Sequence, residues 1–382
     1  MAVIKLLQAS DVHEEDDVRM PRWKAVRSLA NSSKVDIALL LGDFFHTQDV
    51  VIADELKKEL SAEYQTHFPK SLLKDVQVHT DLVGSIKQVG GLENLKQAVE
   101  APGVPEEMRK EIKGQIAYYE ANKDRIKNSL DAIGKDKWLQ GKHKSIADII
   151  SKEAGSRYKK LDELVGGIKA PVLGVRGNWE VDCVYDMKKI QFVEKKPVTV
   201  KGLTFAGAPN WYEALAHLPG ELYSKHEWDP ANPQGVVDFI QKNGTQEDLE
   251  KYVRNVEAGN PLAIPEKMLK KFPTYARLEN VKADVLLTHK GPGLMAMEGD
   301  EDRGSGYGLE HAMRKMKPSM VLGAHIHGKG LFTDEDGYQG LKSTDRRVYI
   351  SHVDNSAKKI LKIEVYKWAD REKQAEQARK AA

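Results

Sequence analysis

The sequence predicts an α/β fold, built around one sheet-forming core that a long helical segment interrupts. Three observations carry this prediction. Apolar strands flank a segment of helical spacing within the first fifty residues, further short apolar strands follow residue 169, and the stretch between them is rich in Lys and Glu. Strands that alternate with helices are typical of sheets covered by helices.

The first fifty residues have the strongest α/β pattern. We predict a strand at Val3–Ala9 and another at residues 36–41, which is apolar on both faces, as expected for a strand covered on both sides. Between these strands, four apolar residues recur at the spacing of a helix: Trp23, Val26, Leu29 and Ala30. Together these segments predict a βαβ unit with parallel strands.

Residues 52–168 predict a helical insertion. They lack long β-branched runs and show apolar residues at i, i+3 or i+4, such as Leu92 and Leu95. The sequence Ala-Pro-Gly-Val-Pro at 101–105 breaks the helical pattern. We interpret the insertion as a solvated cap or as an element through which the chain forms homo-oligomers; a substrate-selecting lid is the sharper alternative.

The strand pattern returns after residue 169. We predict strands at 170–175, 198–203, 204–208, 283–288, 320–323, 348–350 and 360–365, and a second helical stretch at 235–278. The predicted organisation is a split core (1–51 and 169–366), an insertion (52–168) and a charged helical tail (367–382).

Composition excludes several classes of protein. The chain has 59 Lys and Arg residues against 57 Asp and Glu residues, which argues against a protein built on a basic nucleic-acid-binding surface. The one cysteine, Cys183, excludes a disulfide framework and a thiolate-cluster metal site. We find neither an apolar run of about 18 residues nor a signal peptide, so we expect a cytoplasmic protein that contacts no membrane.

Five segments place a His, Asp or Asn directly after a predicted buried strand. They are Asp11-Val12-His13, Gly42-Asp43, Gly177-Asn178, His289 and His325-Ile326-His327. The carboxyl ends of the strands in an open α/β sheet face one crevice, so we expect the five segments to converge on one site. A single segment is a weak signal, because a His after a strand is more often a hydrogen-bonded surface residue. The conjunction of five carries the prediction.

The converging side chains are two Asp, one Asn and four His, which are oxygen and nitrogen ligands without a thiolate. This set suits two borderline divalent ions, chosen from Mn²⁺, Fe²⁺, Ni²⁺, Zn²⁺ and Co²⁺. In Asp11-x-His13 and His325-x-His327, alternate residues project the same way from an extended chain, so both members of each pair can face the crevice.

These segments resemble the signature blocks of the calcineurin-like metallophosphoesterase superfamily. The blocks run Asp-x-His, Gly-Asp-x-x-Asp, Gly-Asn-His-Asp/Glu, a single His, and Gly-His-x-His. The resemblance covers residues 1–51 and 169–366 and leaves the insertion outside. It implies a two-sheet β-sandwich flanked by helices and two bound divalent ions, with Mn²⁺ favoured. The implied activity is phosphoester hydrolysis by a hydroxide that bridges the ions.

The resemblance also assigns roles to residues. It implies that Asp43 bridges the two ions and that Asp43 and Asn178 take part in catalysis. The first ion would be held by Asp11, His13 and His327, and the second by Asn178, His289 and His325. The turn Gly207-Ala208-Pro209-Asn210 is similar to small phosphodiesterase-like branches of the superfamily, which makes Asn210 a candidate substrate contact.

Two departures from the family pattern bear on catalysis. Trp179 stands where the family has the His thought to protonate the leaving oxygen, and an indole N–H does not supply a proton near neutral pH. We therefore predict that the chain either prefers phosphodiesters or anhydrides with good leaving groups or recruits another acid, with Trp179 as a substrate contact. His46 stands where the second block usually ends in Asp. We favour a role for His46 as a hydrogen-bonding neighbour of a metal ligand, and a substitute general acid is the alternative.

Three functions compete. We favour a phosphodiesterase that acts on small or nucleotide-type phosphoesters. A DNA or RNA nuclease with the same two-metal chemistry is the alternative, because Gly42-Asp43-Phe44-Phe45-His46 is similar to the block of some DNA-repair nucleases; the near-neutral charge weighs against it. A non-catalytic protein-binding scaffold is disfavoured, because all seven predicted ligand positions are filled.

Overall fold

The computed structural model describes residues 2–10, 12–14, 19–45, 63–89, 91–101, 103–177, 180–209, 229–230, 233–290, 306–324, 331–333, 339–342 and 347–367. The chain divides into two compact units, Met1–Val50 with Ile150–Ala382, and Val51–Ile149. Among the described residues, we find no helix whose length and apolar character would let it cross a membrane.

The first unit contains all the strands of the described residues. They are β1 (Val3–Ala9), β2 (Ile37–Leu40), β3 (Val172–Gly174), β4 (Gln191–Phe192), β5 (Val198–Val200), β6 (Leu203–Ala208), β7 (Val285–Lys290), β8 (Met320–Ala324), β9 (Leu331–Thr333), β10 (Gln339–Lys342), β11 (Arg347–Asp354) and β12 (Lys359–Lys367). The helices are α1 (Pro21–Ser32), α2 (Lys70–Val89), α3 (Leu92–Val99), α4 (Glu106–Ala121), α5 (Lys123–Gly134), α6 (Lys137–Val165), α7 (Pro233–Asn243), α8 (Gln246–Glu257), α9 (Glu266–Leu269), α10 (Pro273–Leu278) and α11 (Tyr307–Met316).

The strands form two mixed sheets. The first has the order β12-β11-β1-β2-β3-β4, in which β1 to β4 run parallel and β11 lies antiparallel between β1 and β12. The second has the order β5-β6-β7-β8-β10-β9, with parallel strands in the centre and antiparallel strands at both edges. The predicted βαβ unit is confirmed as β1-α1-β2, with Leu7 opposite Ala38 in the parallel register.

The two sheets pack face to face. One buried cluster takes alternate residues from strands of both sheets: Ile4, Leu6, Ile37, Leu39, Leu173, Leu203, Phe205, Val285, Leu287, Met320, Leu322, Tyr349 and Val353. Each such side chain stabilises the fold by roughly 1.5–3 kcal/mol. The side chain of Gln8 links the sheets, since its Nε2 donates to the Gly323 carbonyl at 2.8 Å. The outer face of the second sheet packs against α7 to α11, which confirms the α/β class.

The second unit is helical and has its own core. Helices α2, α3 and α4 share a buried apolar cluster: Val78, Leu82, Leu95, Val99 and Ile116. Beside it, the buried Asp75 carboxylate accepts hydrogen bonds from Arg125, Tyr118 and Ser129. The hydrogen bond from Arg125 holds the pKa of the Asp75 carboxyl below its usual value. A paired buried carboxylate of this kind fixes how the helices meet.

The boundary between the units falls after residue 149, whereas the sequence pattern ends the insertion at residue 168. Helix α6 continues through this point, and Ile150 and Leu161 in its second half are buried. Tyr158 of the same half packs on Phe45, with ring centroids 5.8 Å apart. A continuous helical pattern gives no signal of where a helix changes its packing partners.

The sequence pattern does not reveal β4, β9, β10 or α11. Strands β9 and β10 are three and four residues long, and they form the edge of the second sheet. Such short edge strands lack the apolar alternation that identifies a strand. Strand β12 extends to Lys367, and residues 368–382 of the predicted tail lie outside the described residues.

Candidate metal centre

Three strands bring His13, Asp43 and His289 to one end of the sandwich. His13 follows β1 and Asp43 follows β2, which is the parallel neighbour of β1, so these two loops emerge side by side. His289 lies near the end of β7, in the second sheet. The convergence therefore joins the carboxyl ends of strands from both sheets, where α/β proteins place their ligand-binding sites.

The loops after β1 and β2 continue to pair beyond the strands. The backbone N–H of His13 donates to the Asp43 carbonyl at 3.0 Å, and that of Glu14 donates to the Phe44 carbonyl at 3.1 Å. Both His13 and Asp43 have left-handed backbone, with φ of 42° and 52°. This conformation costs a residue with a Cβ roughly 1–2 kcal/mol. Strain of this kind clusters at functional sites, because the surrounding structure must hold it.

The Asp43 carboxylate lies close to two imidazoles. Its Oδ2 is 3.2 Å from His289 Nε2 and 3.8 Å from His13 Nε2. Asp43 is 1% exposed and His289 is fully buried. One carboxylate oxygen thus lies near a ring nitrogen of each histidine, and the carboxylate and His289 are buried while the His13 side chain is 18% exposed.

The hydrogen bond of His289 to the backbone fixes which ring nitrogen carries the proton. Its Nδ1 lies 2.5 Å from the carbonyl oxygen of Leu41, which can only accept, so Nδ1 is the donor. In the neutral ring, Nε2 then directs a lone pair at the Asp43 carboxylate. Two acceptors face each other in this way when a proton or a cation lies between them. A metal-binding His is oriented by the same kind of second hydrogen bond.

The donor set of these three residues fits divalent metal ions. Imidazole nitrogen and carboxylate oxygen together suit Mn²⁺, Fe²⁺, Zn²⁺, Co²⁺ and Ni²⁺. Within the part of the chain that the structure describes, no group of three or more His, Cys, Asp or Glu side chains is arranged to hold a metal ion. The centre that the sequence predicts needs further ligands at Asp11, Asn178, His325 and His327, and these lie outside the described residues, as do His46, Trp179 and Asn210.

The buried carboxylate of Glu180 joins the loops that follow β2 and β3. Its Oε2 accepts from the backbone N–H of Asp43 at 3.0 Å and of Gly177 at 2.7 Å, and its Oε1 accepts from Phe44 at 2.7 Å. Desolvation, and then the charge of Asp43, raise the pKa of Glu180 to about 7. The motif shows an acidic residue at this position, but the pattern alone does not reveal which backbone groups it bonds.

Two glycines let these loops approach each other. A Cβ on Gly42 would lie 2.2 Å from the backbone nitrogen of Gly177, and Gly42 also has a φ of 79°. A Cβ on Gly177 would lie 2.4 Å from Asp43 Oδ1. Any larger residue at either position would displace the backbone that carries Asp43, so close approach is the reason for glycine here.

A second buried glutamate, Glu194, also supports the loop after β3. Both carboxylate oxygens of Glu194 accept from the backbone N–H of Arg176, at 3.1 and 3.2 Å, and Oε1 also accepts from the Tyr185 hydroxyl at 2.7 Å. The Arg176 guanidinium is fully buried and donates to Asp182. Arg176 therefore acts inside the protein, as part of the support for the loop.

The pKa of Glu194 predicts a pH dependence of stability. Burial raises this pKa to about 7 from an ordinary value of 4.5. The folded protein thus holds the proton more tightly than the unfolded chain does. The stabilisation is present in full below pH 4.5 and is lost as the pH rises through 7.

Across this window, we expect the free energy of unfolding of the wild type to fall by up to about 3 kcal/mol as the pH rises. We expect this fall to be absent in Glu194→Gln. The amide oxygen of the new side chain can keep the bonds from Arg176 and Tyr185, so the fold should persist. Urea unfolding of the metal-free protein at a series of pH values measures the effect. Parallel stability curves for the variant and the wild type would contradict it.

Comparisons with known proteins do not assign this chain to a family. No protein-family model matches the sequence, and a search of curated proteins finds no match. One solved crystal structure is 10% identical to the chain, with a TM-score of 0.45; that of TT1561 of Thermus thermophilus is 12% identical, with a TM-score of 0.38. Each alignment covers 96% of this chain and 100% of the other. At these TM-scores, neither resemblance establishes a shared fold or function.

Proposed function

We propose that the chain is a calcineurin-like metallophosphoesterase that hydrolyses small or nucleotide-type phosphodiesters with two divalent ions. The observation that carries the proposal is that Asp43 Oδ2 lies 3.8 Å from the Nε2 of His13 and 3.2 Å from the Nε2 of His289. These three residues come from separate strand ends, and each occupies its place in the motif order of that superfamily. Two sheets packed face to face, with helices outside, also agree with the proposed architecture.

The ligand roles follow the motif positions. Asp43 would contact both ions. The remaining ligands would be Asp11, His13 and His327 for the first ion, and Asn178, His289 and His325 for the second. When bound, the ions supply Lewis-acid stabilisation of the phosphoryl group and lower the pKa of a water nucleophile.

Hydrogen bonds within the chain orient the proposed metal ligands. The bond from His289 Nδ1 to Leu41 holds the Nε2 lone pair toward Asp43. The three hydrogen bonds to Glu180 hold the backbone of Asp43 and of the loop that leads to Asn178. This support orients the ligands before an ion binds, which is how a metal site gains affinity.

One activity panel tests the proposal. The metal-stripped protein is loaded with Mn²⁺, Fe²⁺, Ni²⁺ or Zn²⁺ and assayed on an aryl phosphodiester, an aryl phosphomonoester, cyclic nucleotides and single-stranded DNA. We expect metal-dependent hydrolysis that is fastest on diesters with good leaving groups. Activity that is unchanged by metal removal, or a preference for the monoester, would count against the proposal.

Trp179 gives a second test, through the leaving group. A general acid contributes about 10²–10⁴-fold to a rate, and this contribution matters most for a leaving group of high pKa. We therefore expect Trp179→His to raise turnover on alkyl phosphodiesters relative to aryl phosphodiesters. Trp179→Phe is the matched control, because it removes the indole without adding an acid. A Trp179→His variant with the same alkyl-to-aryl ratio as the wild type would contradict the proposed role.

The nuclease alternative is tested by the DNA arm of the same panel. Phe44 and Phe45, which suggested that alternative, are both buried, and Phe44 packs edge-on against Trp23 with centroids 5.6 Å apart. They therefore belong to the core and do not present faces on which bases could stack. Faster cleavage of single-stranded DNA than of the small diesters would favour the nuclease.

A further inference from the structure

The first turn of α1 contacts the loop that carries His13. The Nη1 of Arg22 donates to two successive carbonyls, that of Val12 at 3.0 Å and that of His13. We propose that Arg22 is a positioning residue, which holds His13 in the conformation that binds the first ion. This inference rests on the proposed two-metal function, and nothing in the motif pattern assigns a role to Arg22.

The need for such a residue comes from the backbone of His13. Its φ of 42° is left-handed, a conformation that residues with a Cβ avoid. The hydrogen bond from its own N–H to the Asp43 carbonyl fixes one side of the residue. The Arg22 guanidinium fixes the other side through the carbonyl, so both peptide groups of His13 are tied down.

Arg22 is itself anchored to the same loop. The Oε2 of Glu14 accepts from the backbone N–H of Arg22 at 2.8 Å and from that of Trp23 at 3.4 Å, at the beginning of α1. Glu14 is 2% exposed. A carboxylate at a helix N-terminus satisfies free N–H groups and complements the helix dipole. The loop thus holds the helix through Glu14, and the helix holds the loop through Arg22.

The next residue of α1, Trp23, contacts the loop that follows β2. Trp23 is buried, and its Nε1 donates to the carbonyl of Phe44 at 3.1 Å. The start of α1 therefore ties together the backbone after His13 and the backbone after Asp43. Arginine suits this place because its planar fork presents donors in a fixed geometry, whereas a lysine ammonium is a shorter and rotating donor.

Metal binding by matched variants tests the inference. We compare Arg22→Met, which keeps the aliphatic stem, with Arg22→Lys, which keeps the charge, and with Lys24→Met, an exposed position on the same helix. Mn²⁺ is titrated into the metal-stripped proteins by calorimetry, and bound ions are followed by electron paramagnetic resonance. Urea unfolding without metal measures stability separately.

We expect Arg22→Met to weaken the binding of one of the two Mn²⁺ ions by about 10–100-fold, the usual effect of losing an outer-sphere support. Arg22→Lys should give a smaller loss, and Lys24→Met should bind as the wild type does. In a double-variant cycle, Arg22→Met should add little to the loss that His13→Gln causes, because both act on the same ion. A residue that merely stabilises the fold would add its effect to that of His13→Gln.

Four outcomes overturn the inference. If a folded Arg22→Met binds both ions with wild-type affinity, the inference fails and the proposed function stands. The same holds if the losses of Mn²⁺ affinity caused by Arg22→Met and His13→Gln are fully additive. If Arg22→Met does not fold, wild-type affinity in Arg22→Lys overturns it. A wild-type chain that binds no Mn²⁺ overturns the proposed function as well, so the two failures are distinguishable.

Discussion

Replacing Asp43 with asparagine is expected to lower Mn²⁺-dependent phosphodiester hydrolysis by about a thousandfold or more. The physical reason is that this carboxylate lies within 4 Å of both imidazoles, and that Asp43 would help to hold both ions. Loss of several kcal/mol of Lewis-acid stabilisation corresponds to this factor, since each 1.36 kcal/mol is about tenfold in rate. Initial rates on an aryl phosphodiester at saturating Mn²⁺ measure it.

The substitution Asp43→Asn is chosen because asparagine tolerates the left-handed backbone that Asp43 adopts. It therefore removes charge without disturbing the loop. Asp354→Asn is the matched control, since Asp354 is also a buried carboxylate at the end of a strand but pairs with Val3, at the opposite end of β1. Retention of more than half of the activity by Asp43→Asn would contradict its assigned role.

Replacing Glu180 with alanine is expected to lower the free energy of unfolding by roughly 3–9 kcal/mol. The change leaves three backbone N–H groups without their acceptor, in Asp43, Phe44 and Gly177, and each buried unpaired donor costs about 1–3 kcal/mol. Glu180→Gln should cost less, because one amide oxygen can still accept from Asp43 and Gly177. Urea unfolding of the metal-free proteins measures both variants.

Comparing the two Glu180 variants with a control variant distinguishes support of the metal-binding loops from a general effect on stability. Asp354 accepts from the backbone N–H groups of Ser356 and Ala357, so Asp354→Ala also removes an acceptor but far along the sheet from Asp43. We expect Asp354→Ala to lower stability while keeping Mn²⁺ affinity, and both Glu180 variants to lose Mn²⁺ affinity. A Glu180→Ala protein whose free energy of unfolding lies within about 1 kcal/mol of the wild-type value would show that the three bonds do not support the loops.

The sequence allows the frame of the fold to be predicted, because its central strands are apolar on both faces. Strands β1, β2 and β7 lie within a residue or two of their predicted positions, and α1 lies between β1 and β2 as its spacing requires. The division at residue 149 could not be predicted, because α6 is one uninterrupted helix on both sides of it. Partner choice along a helix depends on the surfaces that meet, which a one-dimensional pattern does not contain.

The candidate site, too, could be predicted from the sequence only in part. That His13, Asp43 and His289 meet follows from a general rule, because each lies at the carboxyl end of a strand. The residues that support them, Glu180 and Arg22, act by bonding backbone groups in neighbouring loops. Such bonds have no fixed spacing along the sequence, so only the folded chain reveals them.

The most direct test of the two-metal centre is its stoichiometry. Mn²⁺ is titrated into the metal-stripped wild-type chain by calorimetry, and the bound ions are counted by elemental analysis after gel filtration. We predict two ions per chain in the wild type and a loss of Mn²⁺ affinity in Asp43→Asn, since Asp43 would contact both ions. One ion per chain or none in the wild type, or unchanged binding in Asp43→Asn, would contradict a centre that is bridged by Asp43.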